Sequence, residues 1–212
     1  MLRILIEHAW PVRLSTLCDL SLGAWERAGT AMGEPVRTLL LAFWEDRLLS
    51  LLSPEGDLLW GRAGRTGDEP PAVSARRVTF LRSFFASPEF LAMETVKTRI
   101  ERILPPDPGA PDLLPSLLVT PEEKALVELL GNLARTPFPA FPDPGDFARE
   151  AQRVAPLLPA VQAVFDAVLV NDPDPAVRAA RLSLLGAVAR RLSCFGSLEL
   201  LGSQAKKERP AG

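Results

Sequence analysis

The residues of this 212-residue chain that could do chemistry are its arginines, and their spacing points to binding. In "PAVRAARLSLLGAVARRL", Arg178 and Arg181 stand three apart, and Arg190 and Arg191 follow two to three turns later. At 100° per residue the offsets from Arg178 are about 300° for Arg181, 120° for Arg190 and 220° for Arg191. The first two therefore pair on one side of a helix while the others face elsewhere. Arg190 and Arg191 near the helix end suit its negative dipole and are expected to stay free for phosphate. Arg178 is as suited to an Asp172 or Asp174 contact across the preceding turn as to a ligand.

The inventory for catalysis is thin. His8 is the only histidine, so a metal site with several histidines is excluded and a Ser-His-Asp triad would hang on a residue beside the chain start. A structural His8 is expected. Glu122, Glu123 and Glu128 share a helical stretch and read as an exposed acidic face. "GRAGRTGDE" has neither the Gly-Lys-Ser/Thr ending nor the preceding strand of a phosphate cradle. Cys18 and Cys194, the only cysteines, are too far apart in sequence for a disulfide framework or ligand spacing; both are expected to be buried, in a cytoplasmic protein.

Charge is divided along the chain. Residues 1–61 carry five basic against eight acidic residues, 62–104 eight against five, 105–174 four against eleven, and 175–212 seven against two. Contacts to a phosphate backbone should use the second and fourth segments, if these are more than solvated helix faces.

Helices must position these residues. A composition of 47% hydrophobic and 24% charged residues supplies a core, and no alternating β-branched run is convincing, so the fold class is all-α. "MLRILIEHAW" reads as a short helix with Leu2, Leu5 and Ile6 on one face, and as neither signal peptide nor membrane span. It opens without a cap, as though the chain began further upstream. In "PVRTLLLAFWEDRLLSLLS", Pro35 starts a helix whose core stripe is predicted at Val36, Leu39, Leu40, Phe43, Leu51 and Leu52. "PEFLAMETVKTRIERIL" follows Ser87 as cap, with Phe90, Met93, Val96, Ile100, Ile103 and Leu104 inward. Thr120, Pro121 and Glu123 form a capping-box start.

"PEGDLLWGRAGRTGDEPPA", "PPDPGAPDLLPS" and "TPFPAFPDPGD" read as loops, the last predicting a subdomain boundary near 140. Asp146 is expected to cap a helix running to about 170, kinked or restarted at Pro156 and Pro159, and Asp172 or Asp174 with Pro175 to start the next. Val177, Leu184, Leu185, Val188, Leu192 and Phe195 form its inner face, with the arginines off it. The two helices should pack as an antiparallel pair.

"VFDAVLVNDPDPAVRAARLSLLGAVARRL" resembles the closing segment of the bacterial glycyl-tRNA synthetase beta subunit, which ends in an anticodon-binding helical domain of the DALR type. The matching positions are Phe165, Asp166, Val168, Val170, Asn171, Asp172, Arg178, Arg181, Leu182, Leu184 and Leu185. "FLRSFFASPEFLAMETVKTRIERIL" with "PSLLVTPEEKAL", and "LRILIEHAWPVRLSTL", resemble earlier stretches of that subunit in the same order. Ala180 and Arg102 stand where the family usually has Asn, and "CFGSLELL" with a polar tail replaces its usual Ala-Asp ending.

The resemblance implies three parts: the end of a preceding HD-like helical domain over 1–30, a helical subdomain over 31–140, and a DALR-type anticodon-binding bundle over 141–212. It implies tRNA(Gly) and a separate catalytic alpha subunit as partners, the latter holding ATP and Mg2+, with no catalytic residue, cofactor or metal in this chain. Arg178, Arg181, Arg190, Arg191, Arg99 and Arg102 are the expected tRNA contacts. Two other readings stay open: the anticodon domain of another synthetase such as the arginyl enzyme, and a helical protein-interaction module that has lost RNA binding.

Overall fold

Prolines and short polar side chains mark where the helices begin, and packing decides which faces they bury. The computed structural model describes residues 1–30, 32–53, 56–105 and 114–202. It is helical throughout, with no strand among the described residues: α1 (Leu2–Glu7), α2 (Leu14–Arg27), α3 (Glu34–Leu52), α4 (Leu59–Gly64), α5 (Pro71–Phe84), α6 (Pro88–Ile103), α7 (Pro121–Ala134), α8 (Pro144–Val154), α9 (Leu157–Ala167) and α10 (Pro175–Leu192). Short 3-10 turns cover Pro115–Leu117 and Ser193–Phe195. Most of "PPDPGAPDLLPS" and the tail after 202 lie outside the described residues.

The caps follow from local chemistry. Ser87 Oγ accepts from the Phe90 N–H at 3.1 Å. Thr120 and Glu123 close a reciprocal capping box on α7, the Glu123 N–H donating to Thr120 Oγ1 at 3.3 Å and the Thr120 N–H to Glu123 Oε2 at 2.9 Å. Asp146 does not cap α8. Asp143 does, with Pro144 fixing the first turn, and Asp146 is the returning member of the box. Asp174 caps α10 by accepting from the Ala176 N–H at 2.8 Å.

The larger core runs from Ala63 to Leu201 and crosses residue 140 without a break. Phe138 lies 5.2 Å from Phe147, ring to ring, Arg76 sits over Phe141 at 4.7 Å, and Arg76 Nη1 donates to Pro142 O at 2.6 Å. The proline-rich stretch is thus a strap on one core, where its composition predicts a boundary. A smaller cluster of Leu2, Leu5, Leu14, Leu48, Leu52 and Val78 ties α1, α2 and α3 to α5. Trp60 touches both clusters, from a short helix inside the stretch expected to be loop.

Two further expectations change, while the stretch over 146–170 restarts as its prolines allow, as two helices separated at Pro156. These do not form a closed pair with α10: α9 packs chiefly on α7 and α6, while extended backbone at Val168 leads the chain away and α10 settles on α6 and α7. On α3, Val36, Leu39 and Phe43 are 40%, 71% and 48% exposed, and the helix buries Leu52 as expected together with Leu48, which lay outside the predicted stripe. Its first half is apolar on two sides, so periodicity alone could not choose between faces.

The last described segment, up to residue 202, is sealed tightly. Gly196 has φ 84°, and a Cβ there would lie 2.0 Å from Ala63 O, so only glycine fits. The Ser197 N–H donates to that oxygen at 2.9 Å, and Phe195, Leu198 and Leu201 are fully buried beyond it. "CFGSLELL" is therefore a well-packed close to the fold.

Candidate nucleic-acid interface

Helix α10 turns most of its arginines inward. Arg181 is buried: Nε donates to Glu123 Oε1 at 2.6 Å, and Nη1 to Leu169 O at 2.9 Å and Asp172 Oδ2 at 2.7 Å. Its side chain is 9% exposed and that of Glu123 is 0%. The expected exposed acidic face therefore fails at Glu123, which serves as cap and counter-ion together. Burial pushes the Glu123 carboxyl up, but hydrogen bonds from Thr120 and Arg181 outweigh it and hold it below the usual carboxylate range.

Arg191 does not stay free. Its Nη2 pairs with the buried Glu150 carboxylate, whose other oxygen accepts from Arg153 at 2.9 Å. Arg178 is half-buried and donates to Asp172 O at 3.1 Å, which is the contact across the turn that its position allowed. Arg190 is exposed, and among the described residues its guanidinium has no hydrogen bond or ion pair. It stands at the rim of an open groove formed by Val127, Leu130, Ala134 and Ala187.

Helix α6 does the opposite. It buries Phe90, Met93 and Ile100, which leaves Arg99 and Arg102 on the surface. The Arg99 guanidinium lies 3.9 Å over the ring of Phe165, and Nη1 donates to Gln162 Oε1 at 3.0 Å. Gln162 in turn donates to Asp166 Oδ1 at 2.7 Å, so the arginine is held flat on α9. Spacing along the chain could not reveal this site, because Arg99 and Phe165 belong to different helices.

The "GRAGRTGDE" stretch also folds on itself. Glu69 accepts from Thr66, Ser74 and Arg77, and Arg77 continues to Gly64 O at 2.6 Å and Cys194 O at 2.6 Å. Burial would raise the Glu69 carboxyl, but Arg77, Ser74 and Thr66 hold it down. Burial pushes the Cys194 thiol up to about 12, although the residue keeps some exposure where full burial was expected, while Cys18 is buried on the inner side of α2. His8 is exposed at the end of α1. Among the described residues there is no group of His, Cys, Asp and Glu able to hold a metal, and no helix long and apolar enough to cross a membrane.

No protein-family model matches the chain. It is 32% identical over 212 residues to the glycine–tRNA ligase beta subunit of Leptothrix cholodnii, a match covering 96% of this chain and 28% of that protein. The chain is homologous to part of this beta subunit. The beta subunits of Xanthomonas campestris pv. campestris (31% identical, 95% of this chain, 30% of theirs) and Thiobacillus denitrificans (27%, 96% and 29%) match over a similar extent. The chain thus spans less than a third of the length of the beta subunits it matches, in an all-helical arrangement.

Proposed function

We propose that this chain is a tRNA-binding part of a glycine–tRNA ligase, contacting the anticodon arm of tRNA(Gly) with a helical domain of the DALR type. Amino-acid activation with ATP and Mg2+ then takes place on a separate catalytic alpha subunit, and this chain supports it by holding tRNA. The observation that carries the reading is the match to beta subunits along nearly the whole chain. The exposed Arg99, Arg102 and Arg190 supply phosphate partners, with Arg178 at the margin. Arg181 and Arg191 act from inside by setting the position of α10.

The test is equilibrium binding of the purified chain to tRNA(Gly) and to a non-cognate tRNA over a salt series. Affinity should fall steeply as salt rises, and tRNA(Gly) should bind more tightly. Salt-independent binding would favour the second reading, a helical protein-interaction module. That reading is favoured by one observation, the exposed apolar stripe Val36, Leu39 and Phe43 on α3.

A further inference from the structure

A groove between α6 and α9 leads directly to Arg99. Pro88, Leu91, Ala92, Thr95 and Val96 line one wall and Ala155, Leu158 and Pro159 the other, enclosing about 600 Å³ of open, mainly apolar space. The numbers advance together on both helices. The next turn of each brings Arg99 on α6 to Gln162 and Phe165 on α9. The two helices therefore run side by side in the same direction, and Arg99 stands one turn beyond the groove's lining residues.

Charge gives this groove a direction. Arg99 and Arg102 follow Thr95 and Val96 on α6, beyond that end of the groove, and both are exposed. Glu89 lines the opposite end, where a phosphate would be repelled. Small residues leave room along the walls, since Ala92, Thr95 and Ala155 carry little beyond a Cβ. The Arg99 plane is already seated on Phe165 and fixed by Gln162, so its ordering is not charged to an incoming ligand. A guanidinium is planar and weakly hydrated, and stacks on π-faces from either side. One side is taken by Phe165, and Arg99 as a whole is exposed.

We infer that this groove seats an unpaired RNA nucleotide, its base stacked on the outer face of the Arg99 guanidinium and its phosphate beside Arg102. The inference rests on the tRNA-binding reading and locates single-strand recognition on α6 and α9, away from the arginines of α10. Unpaired bases suit such a platform because stacking uses their π-face, which a duplex keeps covered. The apolar walls exclude water around the base edge, and the two arginines account for the backbone.

The test compares a hairpin RNA with an unpaired loop against a blunt duplex of equal phosphate number, bound to the full chain. The native chain should prefer the hairpin. Arg99→Lys keeps the charge and removes the plane, so it should weaken hairpin binding about ten-fold, leave duplex binding unchanged and preserve the salt slope. Arg102→Gln should instead weaken both RNAs and lower the slope by about one. Ala92→Phe, which fills the groove from an exposed position, should reproduce the Arg99→Lys loss without altering the helical circular dichroism. Hairpin binding by the native chain that survives both Arg99→Lys and Ala92→Phe overturns the groove assignment and leaves the tRNA-binding reading standing. A native chain that binds neither RNA overturns both.

Discussion

Helices α6 and α10 each carry arginines at three-residue spacing, Arg99 and Arg102 on one and Arg178 and Arg181 on the other, and they put them to opposite use. α10 is surrounded: Ala180, Ser183, Leu184, Leu185, Gly186 and Val188 are all buried along with Arg181. α6 keeps one long side in solvent. The same residue type is therefore a fastener on one helix and an open cation on the other, and what decides is the number of neighbours a helix must pack against. A buried guanidinium needs every donor answered, whereas an exposed one is satisfied by water.

Breaking the fastener should have the largest effect. Arg181→Ala leaves the fully buried Glu123 carboxylate without its counter-ion, and should cost about 3 to 5 kcal/mol in urea unfolding. A loss under about 1 kcal/mol would mean that Glu123 finds water, and the contrast between the helices would weaken. Packing on the same helix offers a reference: Leu185→Ala should cost about 2 to 5 kcal/mol, while Leu39→Ala on the exposed stripe of α3 should stay within about 0.5 kcal/mol. Adjacent arginines sharpen the comparison further. Arg191→Ala, which strips the buried Glu150 of one partner, should destabilise by about 1 to 3 kcal/mol, and Arg190→Ala next to it should shift the midpoint hardly at all.

Acid should find the fasteners as well. Glu123 and Glu69 have carboxyls held below their ordinary value of 4.5 in the folded chain. Their contribution is thus fully present above that value and is lost as pH falls through the depressed folded value, when the carboxylates take up protons. Glu69→Gln should flatten the fall in stability on the acid side of about pH 4.5. An acid transition of unchanged steepness would place its origin elsewhere. The smallest effect expected is a null one: the purified chain should show no glycine-dependent pyrophosphate exchange, since activation is assigned to the catalytic subunit.

What was legible in the sequence was local. Ser87, the Thr120 and Glu123 box, and Asp174 with Pro175 are helix starts whose partners lie within three residues, and each forms as its pattern dictates. Of the inner face expected on α10, Leu184, Leu185, Val188 and Leu192 are buried, with Phe195 in the turn beyond, whereas Val177 is half-buried. Long-range pairing was hidden. Glu123 meets Arg181 from 58 residues away, and a glutamate in a first turn reads as exposed unless that partner is known. Arg99 on Phe165 was invisible for the same reason, although Arg99 itself stood among the candidate contacts. At α3 the pattern supplied too many apolar positions, and the placement of α2, α4 and α5 chose between its sides.

The seal of Gly196 and Ser197 on Ala63 has a kinetic side. Ala63 belongs to the first third of the chain and its partners to the last tenth, so this contact closes a loop of more than 130 residues. Contacts of such separation form late, after the entropy of closing the loop has been met by other packing. On a ribosome, the helices up to α9 would emerge with Phe80 still lacking the contact of Phe195, and the core would wait for that residue. Arrival of the segment from Phe195 to Ser197, more than of any single helix, is what closes this core.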